Sequence, residues 1–139
     1  MDTQEYPDVD TDSIRLLLVD DDIRLLELTS QLLFRKGYIV TPATGSSEAM
    51  AILNKNHRAY DIVVTDFCMP EINGIELARM IKELSADIPI ILHTAKVDLI
   101  NEIQTAQVGI AQIIMKPYRV EELDEIIKKV IKENMEAHQ

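Results

Sequence analysis

The sequence has little cysteine and histidine, and each shortage excludes a class of site. Its 139 residues contain one cysteine, Cys68, which cannot form a disulfide within the chain or build a cysteine-rich zinc site. The three histidines, His57, His93 and His138, lack the spacing of metal ligands. No apolar run approaches the roughly 18 residues of a membrane span. Disulfide scaffolds, zinc domains and membrane-spanning proteins are therefore excluded.

Basic residues are also scarce. The chain has 14 Lys and Arg against 24 Asp and Glu, a net charge of −10. Binding to nucleic acid or to an anionic membrane needs basic side chains that neutralise phosphates, so we expect neither partner. Hydrophobic residues make up 47% of the chain, enough for a buried core. We expect one small, acidic, cytoplasmic domain.

The first 13 residues differ in composition from the rest. They hold four Asp, one Glu and one Pro, with neither the basic start nor the apolar stretch of a signal peptide. Because they offer little to bury, we predict a mobile acidic leader over 1–13 and a folded domain over 14–136.

After the leader, short apolar runs alternate with helical patterns five times. The predicted strands are 14–19, 38–41, 61–65, 88–92 and 110–115. A first helix, with Leu25, Leu28, Leu32 and Leu33 at helical spacing, ends at Lys36-Gly37; the others are 46–56, 74–84, 97–107 and 120–136. This alternation predicts an α/β fold: a doubly wound, five-stranded parallel sheet, order 2-1-3-4-5, with helices on both faces.

Polar side chains end four of these strands. Asp20 and Asp21 end the first, Asp66 the third, Thr94 the fourth and Lys116 the fifth. In this topology the carboxyl ends share one edge, and ligands bind where the strand order reverses, between strands one and three. Clustered carboxylates suit Mg²⁺, which also takes water and phosphate oxygens. With an amine and a hydroxyl nearby, the set predicts phosphoryl transfer, in which one carboxylate can be the nucleophile.

Taken alone, each residue has a simpler structural explanation. Asp22 is expected to cap the first helix, and Asp66 could be a turn residue. His93 lies beside the site but has no partner in the sequence, so we expect it not to be a metal ligand. Only the convergence of the four strand ends favours a functional site.

Four segments together resemble the receiver domain of two-component response regulators. They are LLLVDD at 16–21, DFCMP at 66–70 with Gly74 following, IILHTA at 90–95 and MKP at 115–117. The resemblance covers about 14–131 and implies the flavodoxin-like receiver fold. It also implies that the chain catalyses only its own phosphorylation and dephosphorylation, and is otherwise not an enzyme.

The resemblance implies a role for each acidic residue. Asp66 corresponds to the phosphoacceptor, which takes a phosphoryl group from a sensor histidine kinase or a phosphotransfer protein. Asp20 and Asp21 correspond to the acidic pair that holds Mg²⁺, Asp21 directly and Asp20 largely through water. Asp66 and the backbone carbonyl of Cys68 would complete the protein's share of the metal ligands.

The resemblance also implies how a signal leaves the site. Thr94 corresponds to the switch hydroxyl and Lys116 to the lysine that pairs with the phosphoryl group, followed by a cis peptide bond to Pro117. The changed surface would signal to a downstream partner or output domain. Ile113 departs from the pattern, because the family usually has Tyr or Phe there. We therefore expect the usual coupling of hydroxyl and aromatic ring to be missing.

Two other functions fit less well. A phosphatase resembling the haloacid dehalogenase family would need an acid two residues after the nucleophile, where this chain has Cys68. A flavodoxin-type flavin carrier would need a Ser-, Thr- or Gly-rich loop after the first strand, where Asp20-Asp21-Asp22 would repel the FMN phosphate.

Overall fold

A computed structural model describes residues 14–138, so the leader predicted over 1–13 lies outside the described residues. The strands are β1 (Arg15–Val19), β2 (Ile39–Ala43), β3 (Ile62–Asp66), β4 (Ile90–Thr94) and β5 (Gln112–Met115). The α-helices are α1 (Ile23–Arg35), α2 (Ser46–Asn56), α3 (Gly74–Leu84), α4 (Glu102–Val108) and α5 (Val120–Ala137). Short 3-10 turns lie at His57–Ala59 and Val97–Leu99.

The strands form one parallel sheet in the order β2-β1-β3-β4-β5, which confirms the predicted topology. Successive residues of β1 face opposite sides of the sheet. Leu16 and Leu18 pack in a core that includes Leu123 of α5, whereas Leu17 and Val19 pack in a second core that includes Leu77 of α3. Helices therefore cover both faces, which explains why the inner strands β1, β3 and β4 are largely apolar on both faces.

The predicted helix over 97–107 is wrong as a continuous helix. The chain forms a 3-10 turn at Val97–Leu99 and then starts α4 at Glu102. The Asn101 side chain accepts hydrogen bonds from the backbone N–H of Ile103 at 2.9 Å and of Gln104 at 3.1 Å. Asn101 thus caps a new helix, and Gly109, with φ of 88°, ends it.

The buried face of α1 does not include all of the leucines that recur at helical spacing. Its buried residues are Leu26, Thr29 and Leu33, while Leu28 is 52% exposed. Paired leucines offer two overlapping stripes, and the sequence pattern alone could not choose between them. The cap was predicted correctly: Asp22 Oδ1 accepts from the N–H of Leu25 at 3.2 Å.

Candidate functional site

The carboxyl ends of β1 and β3 bring the three predicted acids together. Asp20 follows Val19, which pairs with Thr65, and Asp66 is the last residue of β3. One carboxylate oxygen from each of Asp20, Asp21 and Asp66 lies within 4.8 Å of the others. The order of the strands thus produces the acidic cluster that the sequence predicted.

Lys116 lies between two of these carboxylates. Its Nζ is 2.7 Å from Asp20 Oδ2 and 3.2 Å from Asp66 Oδ2. Asp20 is completely buried, and its Oδ1 accepts from the N–H of Asp22 at 2.9 Å. Asp21 is exposed. The cluster therefore has a buried side, held by the lysine, and a side that opens to solvent at Asp21.

Burial and the neighbouring charges together shift the pKa values of Asp66 and Lys116. Burial raises the pKa of Asp66; the Lys116 charge opposes this rise and the Asp20 charge adds to it. Burial alone would lower the pKa of Lys116, but its hydrogen bonds to Asp20 and Asp66 and their charges outweigh burial and raise it. Lys116 therefore stays protonated near neutral pH.

The donor set fits a hard divalent cation. Three ionised carboxylates and one ammonium leave a net charge of −2, and all the clustered ligand atoms are oxygens, which Mg²⁺ prefers. The exposed side of the cluster at Asp21 leaves room for water and for oxygens of a substrate. Cys68, whose backbone carbonyl is the further predicted ligand, lies two residues beyond β3, and its half-buried side chain packs against Phe67, Ile75 and Leu92.

Thr94 lies at the end of β4, next to the end of β3. It is buried, and its hydroxyl accepts a hydrogen bond from the N–H of Lys96 at 3.0 Å. Its carbonyl accepts from the N–H of Lys116 at 2.9 Å, which ties the ends of β4 and β5 together. The Lys116–Pro117 peptide bond is cis, as expected. Thr94 thus directly follows His93, the β4 residue that pairs with Asp66, and its hydroxyl is engaged by the following loop.

Gly74 fixes the start of α3 against the Asp66 backbone. Its N–H donates to the carbonyl of Phe67 at 2.7 Å. A Cβ at this position would lie 2.4 Å from the carbonyl oxygen of Asp66 and 2.9 Å from the Cα of Phe67. Any other residue would push α3 away from the segment that carries Asp66, so the glycine following the DFCMP segment has a steric cause.

Sequence reasoning missed one polar contact beside the site. His93 is buried in β4, and its Nδ1 lies 2.7 Å from the hydroxyl of Tyr118, in the segment between β5 and α5. Its Nε2 lies 3.5 Å from Asp20 Oδ2. The available signal was a single histidine in an otherwise apolar strand, directly before Thr94.

The sequence profile of the response regulator receiver domain matches residues 16–128. The chain belongs to this family. A curated relative is the transcriptional regulatory protein CpxR homolog of Haemophilus influenzae, 36% identical over 118 residues, which are 85% of this chain and 50% of that protein. The receiver domain described here spans about half the length of such relatives, or less.

Solved structures agree with the receiver fold. A CheY-like receiver domain protein from Methanospirillum hungatei superposes with a TM-score of 0.83 at 29% identity, covering 89% of this chain and 98% of that one. The response regulator TrrA from Thermotoga maritima, solved in complex with Mg(2+)-BeF, gives a TM-score of 0.76 at 31% identity, covering 84% and 98%. Within residues 14–138, no helix is both long and apolar enough to cross a membrane.

Proposed function

We propose that Asp66 accepts a phosphoryl group from a phosphohistidine of a sensor histidine kinase or a phosphotransfer protein. The observation that carries this proposal is the position of the Asp66 carboxylate, beside Asp20 and within 3.2 Å of the Lys116 amine. An Asp66 oxygen attacks phosphorus, the P–N bond breaks, and the imidazole leaves with the electron pair. The product is an acyl phosphate on Asp66.

The site's own residues hold and orient the reacting groups. Asp20, Asp21 and Asp66, together with the carbonyl of Cys68, are proposed to hold Mg²⁺, which when bound neutralises charge on the phosphoryl oxygens. The Mg(2+)-BeF complex of the related TrrA supports this assignment. Lys116 can turn from the carboxylates to a phosphoryl oxygen, since its ammonium has three donors.

Thr94 is proposed to pass the change to the surface. A phosphoryl oxygen offers the Thr94 hydroxyl a charge-assisted hydrogen bond, and the N–H of Lys96 would then lose its present acceptor. The loop and helix after β4 would rearrange and present a changed surface to a downstream partner or output domain. We assign this function to the domain over 14–136. We further propose that this domain does not itself bind nucleic acid.

A phosphodonor assay tests the acceptor. Incubate the protein with a small acyl or amido phosphate and Mg²⁺, and measure the intact mass. We expect one added phosphoryl group in the wild type, none in Asp66→Asn and none when EDTA removes Mg²⁺. Asp61→Asn is a matched control, because Asp61 precedes β3 at its other end and bonds the N–H of Arg15 at 2.8 Å. An unchanged label in Asp66→Asn would refute the assignment.

A separate variant tests the metal ligands. Asp21→Ala removes the exposed carboxylate of the cluster. We expect it to lose both Mg²⁺ binding, measured by calorimetry, and phosphorylation. Normal phosphorylation of Asp21→Ala would show that the metal assignment is wrong.

A further inference from the structure

His93 has both ring nitrogens directed at named partners. Nδ1 lies 2.7 Å from the Tyr118 hydroxyl, and Nε2 lies 3.5 Å from both Asp20 Oδ2 and the carbonyl oxygen of Val19. The side chain is 1% exposed. A histidine so enclosed is held in one orientation by its neighbours.

These partners select one tautomer. Two oxygen acceptors face Nε2, so an Nε2–H group would be attracted to them, whereas a lone pair on Nε2 would be repelled by the lone pairs of both oxygens. Nδ1 then has the lone pair and accepts from the Tyr118 hydroxyl. Burial raises the pKa of Tyr118, which keeps that hydroxyl protonated and able to donate. Both ring nitrogens of His93 are then engaged by these partners.

We propose that His93 is a positioning residue for Asp20, with its Nε2–H directed at Asp20 Oδ2 and its ring fixed by the Tyr118 hydroxyl. The proposal rests on the function proposed above. Asp20 Oδ2 now has two neighbouring donors, Lys116 at 2.7 Å and His93 at 3.5 Å. When Lys116 turns to a phosphoryl oxygen, His93 is the donor that still faces Oδ2. The distance of 3.5 Å is at the limit of a hydrogen bond, and such contacts tighten when a site is loaded.

The expected loss of Mg²⁺ affinity follows from the behaviour of residues that hydrogen-bond to a metal ligand without touching the metal. Partners that orient a metal ligand typically change metal affinity by about 10- to 100-fold when removed. His93→Leu removes the donor and places an apolar side chain in the buried position of the ring. His93→Gln keeps an amide N–H donor on a side chain of similar reach. Tyr118→Phe removes only the hydroxyl that fixes the ring.

The first test reads the tautomer in the wild type, and so needs no variant to fold. Ring ¹⁵N chemical shifts of His93 near neutral pH should show a protonated Nε2 and an unprotonated Nδ1. Tyr118→Phe should increase the share of the other tautomer. A proton on Nδ1 of the wild-type ring would overturn the proposal.

The second test measures Mg²⁺ affinity by calorimetry and the rate of labelling by a small phosphodonor. We expect about tenfold weaker Mg²⁺ binding in His93→Leu and recovery of most of it in His93→Gln. Tyr60→Phe is the control, because its hydroxyl lies 3.3 Å from Thr41 Oγ1 and touches no residue of the acidic cluster. Equal affinity in His93→Leu and wild type, or no difference between Leu and Gln, would refute the positioning role. If the wild type binds Mg²⁺ but takes no phosphoryl group, the proposed function fails, whereas the tautomer and affinity results still decide the role of His93.

Discussion

At the scale of single residues, the site depends on two buried carboxylates that share the ammonium group of one lysine. Asp20 and Asp66 are both buried, and Lys116 contacts both. A buried charge without a partner costs several kcal/mol, so the Lys116 ammonium offsets part of the cost of burying these two carboxylates. Position and charge of Lys116 therefore matter to folding as well as to chemistry.

Removal of the Lys116 ammonium should make the free energy of unfolding depend on Mg²⁺. In Lys116→Met, without metal, we expect the free energy of unfolding to fall by up to about 3 kcal/mol. Mg²⁺ should raise the melting temperature of this variant more than that of the wild type, because the acids then lack their own cation. Lys55→Met, at an exposed site on α2, should behave as wild type. Equal Mg²⁺-induced shifts in Lys116→Met and wild type, measured by calorimetric melting, would contradict this.

Gly74 offers a steric test at the same scale. A methyl group at Gly74 would meet the Asp66 carbonyl at 2.4 Å, so Gly74→Ala should cost about 1–3 kcal/mol and slow phosphorylation as the Asp66 segment shifts. Gly45→Ala is the matched control, because nothing lies within 4 Å of its added Cβ. Urea unfolding and phosphodonor labelling measure both effects. A Gly74→Ala protein as stable and active as Gly45→Ala would contradict the steric argument.

At the scale of elements, periodic patterns predicted most of the fold. The strands β1 and β3 and the helices α2, α3 and α5 follow from apolar runs and stripes bounded by polar or glycine signals. The region 97–107 was predicted wrongly, because its weak pattern hid the cap at Asn101. In the site, strand ends predicted the acids, Thr94 and Lys116. The pair His93–Tyr118, 25 residues apart, could not be predicted, since no local pattern encodes such a contact.

A buried hydrogen bond between distant elements gives a pH-dependent test. The Tyr38 hydroxyl, before β2, donates to Asp124 Oδ1 of α5 at 2.5 Å. Burial, followed by the hydrogen bond and charge of Asp124, raises the pKa of Tyr38. The unfolded chain therefore releases this proton at lower pH than the folded one. The stabilising contribution of Tyr38 is complete below about pH 10 and is lost as pH rises above it.

Tyr38→Phe should lower the free energy of unfolding by about 1–3 kcal/mol near neutral pH, because the buried Asp124 carboxylate loses a hydrogen-bond donor. Above about pH 10 the difference from wild type should shrink, as the wild type loses up to about 1.4 kcal/mol per pH unit. Urea unfolding across this range measures it. A deficit that stays constant from neutral to alkaline pH would show that the Tyr38 proton is not linked to folding.

The connection after β4 should respond most to activation. The Thr94 hydroxyl now holds the N–H of Lys96, and Val97 and Leu99 are exposed. Ile113 packs against the small cluster around Phe67 and has no hydroxyl to exchange between states. With Mg²⁺ and beryllofluoride we expect amide exchange to change over 95–107 while Ile113 stays packed. A large side-chain rearrangement of Ile113 with 95–107 unaffected would refute this.

At the scale of the whole molecule, the doubly wound sheet explains where the chemistry lies. Two apolar cores fill the faces of the sheet, and the polar side chains of the site lie at the carboxyl ends of its strands. The strand order 2-1-3-4-5 puts β1 beside β3, which is why Asp20 and Asp66 meet although they are far apart in sequence. The fold thus builds the acidic cluster from strand ends rather than from one continuous motif.

The most direct measurement of the central claim is chemical mapping of the phosphoryl group. Label the wild-type protein with a phosphodonor and Mg²⁺, reduce the acyl phosphate with borohydride to homoserine, and locate the altered residue by peptide mass spectrometry. We expect homoserine at position 66 alone, with Asp20, Asp21 and Asp61 unchanged. Homoserine at another aspartate, with Asp66 intact, would contradict the assignment of Asp66 as the phosphoacceptor.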